Sequence, residues 1–358
     1  MFRFIIKKVS YAILVIWGVV TLIFFLFNIL PGDPARMMLD QREGTEQLKA
    51  IKKKYGFDKP ISAQYLYYIN DLSPISIHSN NNRAFNYLKS GKYKSTPILS
   101  YDKFTLVLKY PYLRESFVKR NKSVFSIIHD SFPNTLYLAL SSILLAVIIG
   151  LILGVLSAIF KNTIIDRFIL MFSVLGMAIP SFFSAIIFAW VFGYLFSDYT
   201  GLSMSGSLYE VDDYGRGEFI VLKNIILPSI TLGIRPLAVI SQLTRNSLLE
   251  VLMMDYIRTA YAKGLSKFIV IFKHGLRNAL NPVVTAISGW FASMLAGAVF
   301  VEYIFAWNGI GKEIVDALNY LDLPVVMGCV LFIATIFVVV NIFVDIVYGV
   351  LDPRIRII

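Results

Sequence analysis

Long apolar runs separated by basic segments set the pattern of this chain. The first run, Val9 to Leu30, follows Arg3, Lys7 and Lys8 and is as long as a bilayer-spanning helix requires. Further runs cover Thr135–Phe160, Ile164–Phe196, Asn224–Leu243, Val283–Val301 and Pro324–Leu351, so six crossings are expected. The third is too long for one straight crossing and contains Gly176 and Pro180, which predicts a single kinked helix. The first run outlasts a signal-peptide core and ends in Pro31-Gly32-Asp33-Pro34, with no small-residue cleavage pattern, so it is expected to stay as an anchor. The fold class is therefore an all-α polytopic membrane protein of six transmembrane helices, with a large external insertion after the first helix.

The chain divides into an N-terminal end with the first helix (1–30), an extracytoplasmic segment (31–133), and a five-helix core (134–358) carrying a hairpin at about 245–282. In the segment 31–133, Thr45 is placed to cap a helix through Lys54, Gly56 to stop it, and Pro60 to precede a second over Ser62–Leu72. From Ser73 to about Asn121 the chain is rich in Asn, Ser, Lys and Tyr without a clear period, and no element is assigned there. Val124–Ile128, followed by Ser131-Phe132-Pro133, reads as an interfacial lead-in to the second span.

Charge sets the orientation. Lys161, Arg167, Arg245, Arg258, Lys263, Lys267, Lys273, Arg277, Arg354 and Arg356 all fall on the side of the N-terminus, which the positive-inside rule makes cytoplasmic. The segment 31–133 is basic too, but loops beyond about 60 residues largely escape that rule. Six crossings return the C-terminus to the cytoplasm.

With 57% hydrophobic and 16% charged residues, an ordinary soluble domain is excluded. A net charge of +11 would also suit nucleic acid, yet the Lys and Arg lie between spans, with no basic helix or aromatic-basic platform. The single cysteine, Cys329, sits in an apolar run, and His78, His129 and His274 share no ligand spacing, so neither a disulfide framework nor a metal centre is expected.

The most informative stretch lies between the fourth and fifth spans, from Asp255 to Pro282. Leu249, Met253, Tyr256 and Ala260 recur at helical spacing, and Gly264 is suited to the left-handed conformation that closes a helix. Ser266 is placed to cap a second helix, with Leu265 before it and Val270 after it matching a hydrophobic staple. Phe268, Ile271 and Phe272 form the apolar face expected of that second helix. The small residues Ala260, Ala262 and Gly264 at the corner invite close approach by another protein, although packing beneath the membrane helices would use the same pattern.

This stretch resembles the EAA loop of ABC importer permeases. Arg258-Thr259-Ala260 stands where that pattern has Glu-Ala-Ala, Gly264 matches its glycine and Leu276 its later leucine, while the family-wide Glu and Pro are absent. The departures resemble the dipeptide and oligopeptide branch, as do Leu30-Pro31-Gly32-Asp33-Pro34, Tyr55-Gly56-Phe57-Asp58-Lys59-Pro60, Pro133-Asn134-Thr135-Leu136, Ile179-Pro180-Ser181-Phe182, Arg277-Asn278-Ala279-Leu280 and Leu351-Asp352-Pro353-Arg354. The resemblance implies the type I importer permease fold and half of a pore completed by a second homologous permease. It also implies two cytoplasmic ABC ATPase subunits that bind ATP and Mg, an extracytoplasmic peptide-binding protein, and no cofactor on this chain. Its coupling hairpin would comprise Asp255, Arg258, Thr259, Ala260, Ala262, Gly264, Leu265, Ser266, Phe268 and Leu276. Nickel and glutathione importers resemble it at the same level. A self-contained secondary transporter would call for inverted repeats and embedded ionisable residues, of which the sequence offers little.

An ATPase site is not expected, because the nearest look-alike of a phosphate-binding loop, Gly309-Ile310-Gly311-Lys312-Glu313, lacks its glycine spacing and its Ser or Thr. Catalytic triads are absent from the sequence pattern. Glu302 and Asp345, near span ends, read as structural. Arg235, near the middle of the fourth span, either lies on the translocation path facing a peptide carboxylate or pairs within the bundle with an acid or with carbonyls freed by Pro228 and Pro236. Gly150-Leu151-Ile152-Leu153-Gly154 permits close helix packing, within this chain or against a partner.

Overall fold

The computed structural model describes residues 2–29, 45–81, 84–88, 93–212 and 217–351. The motifs at 30–34 and 352–354 lie outside the described residues. In chain order the elements are α1 (Phe2–Ile29), α2 (Thr45–Tyr55), α3 (Ile61–Leu72), strands β1 (Ile75–Ser79), β2 (Ser95–Ser100) and β3 (Phe104–Lys109), then α4 (Val124–Ile159), α5 (Ile164–Ala178) and α6 (Ser181–Trp190). A small hairpin, β4 (Tyr209–Val211) and β5 (Glu218–Ile220), precedes α7 (Ile226–Val251) and α8 (Asp255–Ala262). The chain continues as α9 (Lys267–Ala296), α10 (Val299–Ile304), α11 (Ile310–Asn319) and α12 (Leu323–Leu351).

Among the described residues five helices are long and apolar enough to cross a membrane: Ile6–Asn28, Val124–Ile159, Leu222–Val251, Lys267–Ala296 and Leu323–Ile346. The pair α5 and α6 makes the sixth crossing when taken as one span, and it bends by 108°. That is a break rather than the kink expected. Pro180 has no N–H to continue α5 and disfavours a helical Ile179, so both residues are extended, at ψ 128° and 140°. Helix α4 starts earlier than its apolar run and absorbs the expected lead-in, passing through Pro133, which removes only one backbone donor.

The residues fall into two compact units, 1–130 with 313–335 and 131–312 with 336–358. In the first, Tyr68 of α3 packs with Val20, Ile23, Phe24, Met327 and Leu331, and the Tyr65 hydroxyl meets Thr21 Oγ1 at 2.7 Å. The stretch 73–121, without a period in the sequence, holds a three-stranded antiparallel sheet of order β1-β3-β2. Ile77 pairs with Leu106, and Leu99 pairs with the same residue across a bulge. Buried Asp322 accepts from the amide of Phe117 at 3.0 Å and from the Ser116 hydroxyl, tying this segment to the start of α12.

In the second unit α7 is the hub. Gly154 of α4 lies so close to it that an added Cβ would sit 2.6 Å from the Ser241 carbonyl, so the paired glycines serve packing within the chain. The core gathers Leu138, Ala185, Leu232, Met294, Val301, Phe305 and Trp307. Trp307 donates its indole N–H to the Asn134 carbonyl at 2.9 Å. Glu302, fully buried, accepts from the amides of Gly311 at 2.6 Å and Lys312 at 3.4 Å, so the α11 N-terminus that looks like a phosphate loop in sequence is filled by this carboxylate.

Candidate functional site

The hairpin between α7 and α9 turns at Gly264, whose φ of +77° only glycine adopts without strain. The Leu265 amide reaches back to the Ala260 carbonyl at 3.3 Å and the Gly264 amide to Tyr261 at 2.9 Å. These two bonds close α8 with a Schellman motif, satisfying carbonyls that a helix end leaves open. Ser266 caps the next helix, its hydroxyl accepting from the Ile269 amide at 3.5 Å. Leu265 packs with Ile257, Ala260 and Val270, forming the staple that sets the turn angle.

The expected apolar faces are only partly right. Helix α7 stops at Val251, and a turn over Leu252–Met254 separates it from α8, so the spacing Leu249–Met253–Tyr256–Ala260 does not run along one helix. Ile257 and Ala260 form the buried face, whereas Met253 is 66% exposed. In the second helix a π turn over Val270–Gly275 adds a residue to the winding. Val270, Ile271 and Gly275 point inward in consequence, and Phe268 points out at 69% exposure, its ring centroid 4.5 Å from that of exposed Phe272 and tilted by 34° to it.

Asp255 and Arg258 form an exposed pair at 3.4 Å, a geometry that contributes little to stability. Thr259 donates its hydroxyl to the Asp255 carbonyl. Ala262 and Gly264 are exposed at the corner, and Leu276 packs in the cluster of Leu248, Val251, Ile271 and Ala279. The hairpin thus presents an apolar surface of Met253, Met254, Tyr261, Phe268 and Phe272 beside an open glycine corner. Helicity is unbroken from Lys267 into the membrane span, so this arm is the first part of α9 itself.

Sequence reasoning missed the node that holds the same end of the bundle together. Arg245 of α7 grips Asp166 of α5 with Nε–Oδ1 at 2.7 Å and Nη2–Oδ2 at 2.8 Å. Ser157 of α4 donates to Oδ1 at 2.5 Å, and the Asn162 amide donates to Oδ2 at 2.9 Å. Three helices meet at one buried carboxylate. Arg245 counts in the sequence only as a positive loop residue, and nothing local ties it to an acid 79 positions away.

Arg235 departs from the expectation of a partner inside the bundle. Its side chain is exposed, and among the described residues its hydrogen bond is a 3.5 Å contact to the Met177 carbonyl. That carbonyl is released by the break at Pro180, not by Pro228 or Pro236. The positive charge therefore sits at the C-terminal end of α5, where the helix dipole favours it.

A helical, multi-span body with an inter-span hairpin and a buried ion-pair clamp defines a polytopic membrane protein. The chain belongs to the family of binding-protein-dependent transport system inner membrane components, whose model matches residues 150–357; a model of the N-terminal part of such components matches residues 1–82. It is thus an inner-membrane permease component of an ABC transport system and not itself the ATPase. It is 34% identical, over 99% of each chain, to the di/tripeptide transport system permease protein DppB of Pseudomonas aeruginosa (strain UCBPP-PA14). It is 33% identical to the dipeptide transport system permease protein DppB of Bacillus subtilis (strain 168), over 99% of this chain and 98% of that one. The DppB of Escherichia coli (strain K12) is 34% identical over 99% of each chain. A solved chain of the MetNI methionine ABC transporter in inward-facing conformations is similar over 65% of this chain and 96% of its own, at 18% identity and a TM-score of 0.46.

Proposed function

We propose that this chain is one half of the pore of an ATP-driven importer of di- or oligopeptides, completed by a second, related permease. The observation that carries the reading is similarity over almost the whole length to permeases named for dipeptide and di/tripeptide transport. Both termini and the Gly264 hairpin lie in the cytoplasm, and residues 31–133 lie outside, facing a peptide-binding protein. Two cytoplasmic ATPase subunits bind ATP and Mg and receive the hairpin, with Phe268, Phe272 and the methionines entering an apolar groove and the small corner at Ala262 and Gly264 allowing close approach. Closure of the ATPases displaces the hairpin. The continuous helix α9 carries that displacement from Lys267 into the membrane, and the clamp at Asp166 holds α4, α5 and α7 in step, so the pore rocks between two states.

Arg235 lines the translocation path in this reading. A charge facing acyl chains at mid-membrane would cost on the order of 2.5–3.5 kcal/mol, so water or protein covers that face of α7 in the assembled pore. Reconstitution with the ATPases and the binding protein tests both statements. Labelled di- and tripeptides should enter ATP-dependently, and Arg235→Leu should selectively lose peptides with a free C-terminal carboxylate relative to amidated ones. Uptake of nickel or glutathione in place of peptide would overturn the substrate, and equal loss of both peptide classes would take Arg235 off the path.

A further inference from the structure

The sheet β1-β3-β2 turns an apolar row outward. Strand β1 reads Ile-Ser-Ile-His-Ser and β3 reads Phe-Thr-Leu-Val-Leu-Lys, and in both the exposed positions are apolar. Ile75, Ile77, Leu99 and Leu108 are 50–57% exposed, whereas Ser76, His78, Thr105 and Lys109 are at most 6% exposed, beside buried Val107. Ile77 and Leu99 both stand opposite Leu106, and Ile75 stands opposite Leu108, so the outer row crosses all three strands. Hydrogen bonds lock the inner row: Ser76 Oγ meets His78 Nε2 at 3.0 Å, Thr105 donates to Asn80 Oδ1 at 2.8 Å, and Lys109 donates to the Asp71 carbonyl at 2.5 Å. A one-residue slip would turn every side chain over and break all three, so the apolar face is fixed by the register.

The sheet is tied to α3, and α3 lies against α1 within the membrane span. The Tyr65 hydroxyl meets Thr21 Oγ1 at 2.7 Å, and the span runs on from Thr21 to Asn28, about 10 Å at a helical rise of about 1.5 Å per residue. Tyr65 therefore sits about 10 Å below the end of that span, at the depth of acyl chains. The Phe25 ring centroid lies 5.4 Å from that of Tyr65, beside exposed Leu22 and Leu26 of α1, and Leu66 of α3 is exposed in turn. Asn70, one turn after Leu66 on the same helix face, bonds both the amide and the carbonyl of exposed Ile77, at 2.9 and 3.0 Å. The apolar surface of the span thus passes over α3 to the sheet. Asn70 also satisfies backbone groups on the β1 edge that would be costly to leave open beside lipid.

We propose that this face is a lipid-docking surface, laid on the outer leaflet of the membrane that the chain itself spans. The choice of leaflet rests on the reading above that residues 31–133 lie outside; the contact with lipid rests on the geometry alone. Apolar side chains outward and polar ones inward is the alternation of a sheet that meets lipid. Tyr101 and Tyr110 are exposed just beyond the ends of β2 and β3, and exposed Lys94 and Lys103 stand next to the same strands. Aromatic rings and lysines around an apolar surface suit the headgroup boundary, where the rings anchor and the lysines meet anionic lipid. A soluble partner that comes and goes would leave this apolar face in water whenever it departed, a cost that a lipid surface removes at all times.

The test uses the complete transporter in proteoliposomes. Leu99→Cys and Ile77→Cys, each in a Cys329→Ala background and carrying an environment-sensitive dye, change side chains that already point outward. With no soluble partner present, both dyes should emit to the blue and lose most of their intensity to quenchers carried on the acyl chains of the outer leaflet. Lys94→Glu with Lys103→Glu should weaken that quenching on anionic vesicles at low salt more than at high salt. Red, unquenched emission from both positions would overturn the proposal. So would a blue shift that appears only when a binding protein is added, which would assign the face to a protein. Quenching only from the cytoplasmic leaflet would overturn the leaflet named and the orientation with it. Peptide uptake by the unsubstituted complex reports separately on the importer reading, so the failure of one is told apart from the failure of the other.

Discussion

Replacing Gly264 isolates backbone conformation from space at the hairpin corner. The residue sits at φ +77°, and a Cβ added there would meet no atom within 4 Å in this chain. Any cost within the chain is therefore conformational. For an ordinary L-residue it is about 1–2 kcal/mol, a factor of about 5–30 in the ratio of closed to open hairpin. Asn tolerates the left-handed region, Ala pays the full penalty, and Val adds the restricted rotamers of a β-branched side chain. Co-purification of the ATPase subunits with the permease pair, and uptake per ATP hydrolysed, should decline in the order Gly, Asn, Ala, Val, while membrane insertion stays normal. Val behaving as the parent would refute the corner as a coupling element. Asn failing as badly as Val would refute the conformational account and show that a partner occupies the space above Gly264.

The buried clamp makes a second prediction: Arg245→Ala strands Asp166 without its partner, a loss of about 3–5 kcal/mol, and Arg245→Lys should restore only part of it because the bidentate fork is gone. Thermal unfolding in detergent reads this, and a Lys variant as stable as the parent would remove the fork from the argument. Burial pushes Glu302 from its ordinary 4.5 up to about 7 despite hydrogen bonds from Thr135, Gly311 and Lys312. The folded state then holds a proton that the unfolded state has released, so stability should fall as pH rises from about 4.5 to about 7. Glu302→Gln should flatten that slope, and parallel pH profiles for the two proteins would rule out the assignment.

The order of apolar runs, the glycine corner, the Ser266 cap and the Leu265–Val270 staple were legible in the residues because each depends on neighbours within a turn or two of helix. The outward turn of Phe268 and Phe272 was not, since one π turn over Val270–Gly275 re-aims the helix without altering the apolar spacing. The break at Pro180 was visible as a bend, but its 108° angle follows from how α5 and α6 each pack on α7. Pairings across long stretches of chain were invisible altogether. Asp166 finds Arg245 across 79 residues, and β1 finds β3 across an intervening strand, because those partners are chosen by burial and hydrogen-bond satisfaction in the folded chain. By itself the sequence determined a polytopic membrane protein with a hairpin turning at Gly264, through local and periodic constraints, and its motifs carried the resemblance to importer permeases. Tertiary structure alone decided which carboxylate anchors the base of the bundle and which face of the sheet is left apolar and open, since both depend on what lies opposite a side chain in space.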